Sequence, residues 1–280
     1  NIGVGTSSPA NSALIDLSST TKGFLLPRMT QAQILAITSP DDGLQVYCTT
    51  DGKLYIYVAL MGLWKELAYG ASTLPAMPFV CGNAISKTHI AGGVAPVTKS
   101  VTYGTINNIS GEVSKCWITS NLGASNQPSS ASDATETAAG WYWQFNRMQG
   151  YKHDGTTRTP NTAWVYPVSE NSNWTSGHDP CLIELGNGWR LVTYSEWNNV
   201  DTYGNWSTYT APYNSGLKLH TAGYLNYNNG SLTDRGSYGY YWSSNQSDNS
   251  SASNLDFVGG YCGMHTGTKT FGFSVRCIRD

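Results

Sequence analysis

The stretch Gly239–Asp280 reads GYYWSSNQSDNSSASNLDFVGGYCGMHTGTKTFGFSVRCIRD, and its character changes twice along the way. Aromatic, apolar runs at its two ends, Tyr238 to Ser243 and Phe271 to Ile278, read as strands. Between them, residues 245–270 are dominated by Asn, Ser, Thr and Gly, too polar for a core and too varied for a simple turn. This middle reads as an adaptable surface displayed on a rigid frame. Only Leu255 to Val258 inside it looks strand-like.

The candidate binding residues follow from that reading. Within the segment they are Asn245, Ser247, Asp248, Asn249, Ser251, Ser253, Asn254, Asp256, Tyr261, Met264 and His265. The flanking Tyr238 and Tyr240 join them. A second polar and aromatic patch, Tyr224, Asn226, Tyr227 and Asn228, is expected beside it. Tyr offers rigid contact area and Asn and Ser offer adaptable hydrogen bonds, as in antibody paratopes.

Outward from this region, Gly188 to Val192 leads into a helix. Thr193 and Glu196 form its capping box, and Trp197 falls on the inner face. Residues 133–147 read as the best helix of the chain, with Ala138, Trp141, Trp143, Phe145 and Met148 sharing a buried side. The long Gly-, Pro- and Thr-rich segment 149–180 is expected to be a binding loop. Helices followed by many short strands give an α+β domain over residues 81–280. Trp117, Trp189, Trp197 and Trp242 sit in apolar runs and are assigned to the core, where their indole N–H groups need acceptors. Arg190 and Arg276 are expected to anchor chain ends through backbone carbonyls or a carboxylate such as Glu196 or Asp280. Gly272 is expected at a tight backbone approach.

Residues 1–69 form a different, smaller unit. Short alternating runs at Ala13 to Leu17 and Gly23 to Leu26 precede Thr30-Gln31-Ala32-Gln33, a capping-box helix start. The turn Thr50-Asp51-Gly52 between two alternating runs is a hairpin signal. Such a unit is mainly β and too small to bury a good core, so association with copies of itself is expected. Residues 70–80 read as a Pro-containing connector. The chain starts at Asn1 without Met and reads as part of something longer.

Composition excludes several classes. Only 12% of residues are charged, against about 25% in an ordinary domain. A net charge of −2 with scattered lysines supplies no basic stripe for nucleic acid. The 18 Tyr and 10 Trp argue against disorder. The longest apolar run, Leu54 to Trp64, is too short for a membrane span.

Two resemblances sharpen this picture. The segments NIGVGTSSP (Asn1–Pro9), STTKGFLLPRMT (Ser19–Thr30) and DDGLQVYCTTDGKLYIY (Asp41–Tyr57) resemble the part preceding the tips of phage tail-fibre proteins, and of related surface proteins of gut bacteria. That resemblance implies a trimeric stalk in a virion. The segments CWITSNLGA (Cys116–Ala124), GWRLVTYSEW (Gly188–Trp197), GYYWSS (Gly239–Ser244) and GFSVRCIRD (Gly272–Asp280) resemble the C-type-lectin-fold domain of the FISUMP, or major paralogous, family. They look most like retroelement-diversified phage tropism determinants, whose lectin-fold region varies at adenine-rich codons to change receptor binding. Together these imply a receptor-binding fibre tip, a homotrimer whose partner is a host cell-surface protein or glycan, with no cofactor. A bacterial surface or secreted adhesin of the same fold is the alternative.

Catalytic and metal chemistry finds little footing. His153-Asp154 and His178-Asp179 lack the spacing of a zinc site. Calcium-dependent lectins resembling this fold use carboxylate-bearing triplets, but here Gln127-Pro128 is followed by Ser129 and Trp197-Asn198 by Asn199. The fold also resembles that of the formylglycine-generating enzyme, which needs closely spaced reactive cysteines. Cys262 and Cys277, the nearest pair, are far apart, so no enzyme is expected. Disulfide pairing stays open among Cys48, Cys81, Cys116, Cys181, Cys262 and Cys277. Cys81–Cys116 and Cys262–Cys277 are plausible pairs in the large domain, which leaves Cys48 with Cys181. Assembly in a reducing cytoplasm would instead favour free thiols.

Overall fold

A computed structural model describes residues 2–67, 79–186 and 188–280 of the chain. The chain divides into two compact units, Asn1–Phe79 and Val80–Asp280. Nearly all of the connector expected at 70–80 lies outside the described residues.

In the N-terminal unit, Ile2–Val4 and Ile15–Leu17 pair in parallel. A four-stranded sheet runs in the order Arg28–Met29, Gln45–Cys48, Lys53–Val58, Leu63–Glu66. The Asp51-Gly52 turn closes its central hairpin. Gly52 has a positive φ of 73°, and its N–H donates to Cys48 O at 3.0 Å. Thr30 and Gln33 make the expected reciprocal cap on the helix Gln31–Leu35. The core is a handful of side chains: Ile34, Val46, Cys48, Tyr55 and Trp64.

The large unit is sheet-rich with few helices. Its main sheet has seven strands in the order Arg158–Thr159, Gly150–His153, Tyr142–Trp143, Phe273–Ser274, Tyr238–Gln246, Ser251–Val258, Tyr261–Thr268. A second sheet runs Trp189–Leu191, Cys277–Arg279, Cys116–Ile118, Thr105–Ile106. The helix Tyr194–Gly204 carries the expected Thr193/Glu196 capping box and packs on the last three strands of the main sheet. Its Trp197 and Val200 meet Tyr241, Leu255 and Phe257 in one buried cluster with Trp117, Val192 and Ile278.

The frame residues behave as expected. Trp117, Trp189, Trp197 and Trp242 are all buried. Trp197 donates to Trp242 O at 3.1 Å and Trp242 to Trp143 O at 2.8 Å, whereas the indole N–H of Trp117 finds no partner among the described residues. Arg190 forks onto both Glu196 oxygens (2.9 and 2.6 Å) and onto Asp280. Arg276 is fully buried and donates to Ile118 O, Leu217 O and Asn121 Oδ1. Gly272 exchanges backbone hydrogen bonds with Leu225, whose Cβ would lie 2.8 Å from a Cβ at position 272.

Three expectations are corrected. The helix over 133–147 shrinks to Glu136–Ala139, because Gly140 turns the chain at a φ of 72° and Tyr142–Trp143 then joins the sheet. The spacing of Trp141, Trp143 and Phe145 is a strand period as well as part of a helical one, and Met148 is exposed. Gly188 to Val192 contains a strand that pairs with Cys277–Arg279 before the helix begins. The disulfides are Cys81–Cys116 and Cys181–Cys277, so the Cys262–Cys277 pairing fails. Cys277 is bonded to Cys181 of the helix Pro180–Leu185. Cys262 is a free, buried thiol, pushed up in pKa by burial and by neighbouring Asp201.

Candidate functional site

The polar stretch after Trp242 is sheet, not loop. Ser251–Val258 and Tyr261–Thr268 are full strands, with Asn254 paired to His265, Asp256 to Gly263 and Phe257 to Cys262. Because side chains alternate along a strand, register decides which residues face which way. Tyr241, Leu255, Phe257 and Cys262 point to the helix side and belong to the core, with Met264 packed against them. The opposite face carries Tyr240, Asn254, Asp256 and His265.

That opposite face forms a basin of about 290 Å³. Five of the expected residues line it: Tyr224, Tyr240, Asn254, Asp256 and His265. Thr266, Gly267, Phe271 and Phe273 complete the lining. Tyr224 stands edge-on to Tyr240 and to Phe271, at centroid distances of 5.1 and 5.4 Å. Tyr240 stacks on Phe273 at 4.8 Å, and Phe273 stacks on Phe271. These mutual contacts hold the rings in place, which gives a pre-organised apolar wall.

The floor is polar. Asn254 is 1% exposed, and its Oδ1 has no hydrogen-bond partner among the described residues. Asp256 Oδ2 accepts from His265 Nδ1 at 3.0 Å, while its buried Oδ1 has no partner among the described residues. Burial raises the Asp256 pKa, against the pull of His265. Burial, with Asp256 nearby, pushes the Tyr240 hydroxyl up too.

The remaining expected residues fall outside the basin floor. Tyr227 and Tyr238 extend its aromatic wall, Tyr227 edge-on to Phe271 at 5.2 Å and Tyr238 stacked on Tyr240 at 6.1 Å. Tyr261 stacks on His265 at 5.1 Å, its hydroxyl 3.1 Å from Nε2. Others build backbone. Asp248 Oδ1 accepts from the backbone N–H groups of Ser250 and Ser251, and Ser247 N–H donates to Ser251 O, which closes the hairpin. Asn249 O accepts from Glu170 N–H. Asn245 Oδ1 accepts from Tyr194 N–H at 2.8 Å at the start of the long helix. Asn226 Oδ1 accepts from Asn228 N–H in its own turn.

Two expected contacts are therefore corrected. Ser253 is buried and its carbonyl accepts from Ser243, and Met264 packs into the core. Both were counted as surface because the polarity of 245–270 hides the strand period. Phe271 and Phe273 were assigned to the frame, yet they line the basin; their i, i+2 spacing on a strand was the available signal.

The two histidine–aspartate pairs have other work: Asp154 Oδ1 accepts from the N–H groups of Thr156 and Thr157, and His153 Nδ1 from that of Gly155. Asp179 caps the helix Pro180–Leu185 through the N–H groups of Cys181 and Leu182, and His178 Nδ1 lies 3.0 Å from Asn146 O. No group of three His, Cys, Asp or Glu able to hold a metal occurs among the described residues.

Comparison with known families gives two matches. Residues 3–78 match the phage tail like trimerisation region, and residues 150–278 match a domain of unknown function (DUF8237). Comparison with curated proteins and with solved structures gives no match. The first match supports a phage tail-fibre-like protein, virion-associated and assembled as a homotrimer. The exposed apolar side chains of the N-terminal unit agree with that: Leu14, Phe24, Leu25 and Leu60 are 79, 68, 74 and 96% exposed in the single chain. No helix among the described residues is long and apolar enough to cross a membrane.

Proposed function

We propose that this chain is the receptor-binding tip of a phage tail fibre, in which a trimeric N-terminal segment carries a C-type-lectin-fold unit that binds a host cell-surface ligand. The observation that carries this reading is the basin: mutually packed rings of Tyr224, Tyr240, Phe271 and Phe273 beside Asn254, Asp256 and His265, on the face of the main sheet opposite the core. Three copies on one stalk present three basins, so weak single-site binding is multiplied by effective concentration. Retroelement-type variation fits the same strands. Residues of the outer parity, Asn254, Asp256 and His265, can change the ligand while inward Leu255 and Phe257 keep the core.

The site acts by binding without chemistry. The closely spaced thiols that a formylglycine-generating type of enzyme would need have no counterpart in this reading: four cysteines are in disulfides, and the free Cys48 and Cys262 are both buried and lie in different units. Adsorption of the fluorescently labelled trimer to a panel of bacterial strains tests the proposal. Strains that bind the native chain should lose most of the signal with Tyr240→Ala combined with Phe271→Ala, at unchanged trimer content. Adsorption that survives this double variant would place the receptor site elsewhere.

A further inference from the structure

A second concavity of the large unit lies at the C-terminal end of the helix Tyr194–Gly204, which packs on the face of the main sheet away from the basin. It holds about 610 Å³ against about 290 Å³ in the basin, and the two share no lining residue. Three segments wall it: the loop 108–110, the helix end with Trp206, and residues 208–215 around the short helix Ala211–Asn214. The walls are pinned to the frame. Ser110 Oγ donates to Tyr203 O at 3.0 Å, Asn199 Nδ2 to Glu112 Oε1 at 2.7 Å, and Tyr209 N–H to Gly259 O at 3.2 Å. The cleft is thus largely formed before a ligand arrives.

Its chemistry is neutral throughout. No Asp, Glu, Lys, Arg or His is among the described residues that line it, whereas the basin carries Asp256 and His265. The lining side chains that face solvent most are Asn108, Ser110, Tyr203 and Asn214. The carboxamides of Asn108 and Asn214 have no hydrogen-bond partner among the described residues, and each offers both donors and an acceptor. Tyr203 is 70% exposed and stacks on no other ring among the described residues. The indole N–H of Trp206 is also without a partner among them, and Gly204 leaves its edge uncovered, since a Cβ there would collide with Nε1.

We infer that this cleft binds a neutral oligosaccharide, independently of the basin. A sugar hydroxyl donates and accepts at once, and free carboxamides answer both roles. The C–H face of a pyranose ring covers the exposed Tyr203 ring. A charged ligand would leave water without meeting an opposite charge. An extended peptide has no strand edge to join, because none of the lining residues belongs to a strand. An amphipathic helix needs an apolar groove, and Ile109 and Val200 of the lining are only 3 and 0% exposed.

The test applies the intact trimer to an array of neutral and anionic microbial polysaccharides, with uncharged Ser- and Gln-rich peptides beside them. Binding is expected on neutral polysaccharides alone, and within about twofold of its low-salt strength at ~0.5 M salt, because no ion pair is involved. Tyr203→Ala with Asn214→Ala changes two exposed side chains and should weaken binding by about tenfold or more. Tyr203→Phe keeps the ring and should stay within about threefold. Tyr194→Ala, at the other end of the same helix and outside the cleft, should leave binding within about twofold. Binding to the peptides, binding to anionic polymers alone, no binding to any neutral polymer, or an equal loss from Tyr194→Ala would overturn the inference. Loss of neutral-polymer binding with Tyr240→Ala and Phe271→Ala would do so too, by moving the glycan into the basin. The basin reading is judged separately, by whether host adsorption depends on Tyr240 and Phe271.

Discussion

The two units of this chain meet the problem of burial in opposite ways. Among the described residues, the N-terminal unit buries five side chains in its core and leaves Leu14, Phe24, Leu25 and Leu60 exposed. The large unit closes on itself, with five tryptophans fully buried and two disulfides tying distant segments. A small sheet cannot cover its own apolar surface, whereas about 200 residues can. The first unit is thus stable as a set of copies and the second as a single body.

Breaking each unit at its own anchor tests the contrast. The largest effect is expected from Arg276→Ala in the large unit. Arg276 is fully buried without a carboxylate partner among the described residues, and it donates to three backbone carbonyls, of Ile118, Leu217 and Lys218, and to Asn121. Losing it should cost about 3–5 kcal/mol. Chemical denaturation followed by Trp fluorescence should show an early transition of the large unit, while sedimentation still reports a trimer at low denaturant. Loss of the trimer would mean that the units are not independent.

Trp64→Ala is the counterpart in the N-terminal unit. It removes the largest side chain of a five-residue core and should cost about 3 kcal/mol or more. Trimer content should fall and become concentration-dependent, with the near-UV spectrum of the large unit retained. A monomer that keeps the N-terminal sheet would show that this core does not depend on assembly.

Reduction should separate the units by a smaller margin. The Cys181–Cys277 bridge closes a 96-residue span of the large unit, whereas the N-terminal Cys48 is free. Cys181→Ala with Cys277→Ala should lower the stability of the large unit by about 2–4 kcal/mol. The melting of isolated stalk trimers in dithiothreitol should be unmoved.

Acid gives the smallest effect. The Arg190 guanidinium and neighbouring hydrogen bonds hold the Glu196 and Asp280 carboxyls below the ordinary carboxylate range of about 4. Stability from a carboxyl whose folded pKa is lowered is complete above that range and is lost as pH falls through the folded values. These carboxyls should therefore add an acid limb below about pH 5 to the loss that begins below about pH 6.5, where His220, its pKa pushed down to about 3 by burial, binds a proton only on unfolding. Glu196→Gln should flatten the decline; an unchanged acid limb would show that the clamp carries no pH dependence.

How far the sequence reached depends on the range of each interaction. Caps at Thr30 and Thr193, the Asp51-Gly52 turn and the burial of the frame tryptophans were legible because their causes lie within a few residues. Arg190 and Arg276 were legible because a cation inside an apolar run must find carbonyls or a carboxylate. The helix over 133–147 was misread because Trp141, Trp143 and Phe145 fit two periods at once, and Gly140 decided between them. The basin was half legible: the tyrosines, Asn254, Asp256 and His265 were named, but so were residues that build the hairpin or the core.

The sequence by itself determined the division into a small β unit and a larger α+β unit, the helix ends, and the concentration of Asn, Ser and Tyr near the C-terminus. Tertiary structure alone decided that Cys181 meets Cys277, that Phe271 and Phe273 join Tyr224 and Tyr240, and that Asn254 and Asp256 share one face. Local signals act through neighbouring dihedrals and hydrogen bonds, so they are written in consecutive residues. A basin is set by strand register, and a shift of one residue in the pairing of Asn254 with His265 would exchange its floor for the core.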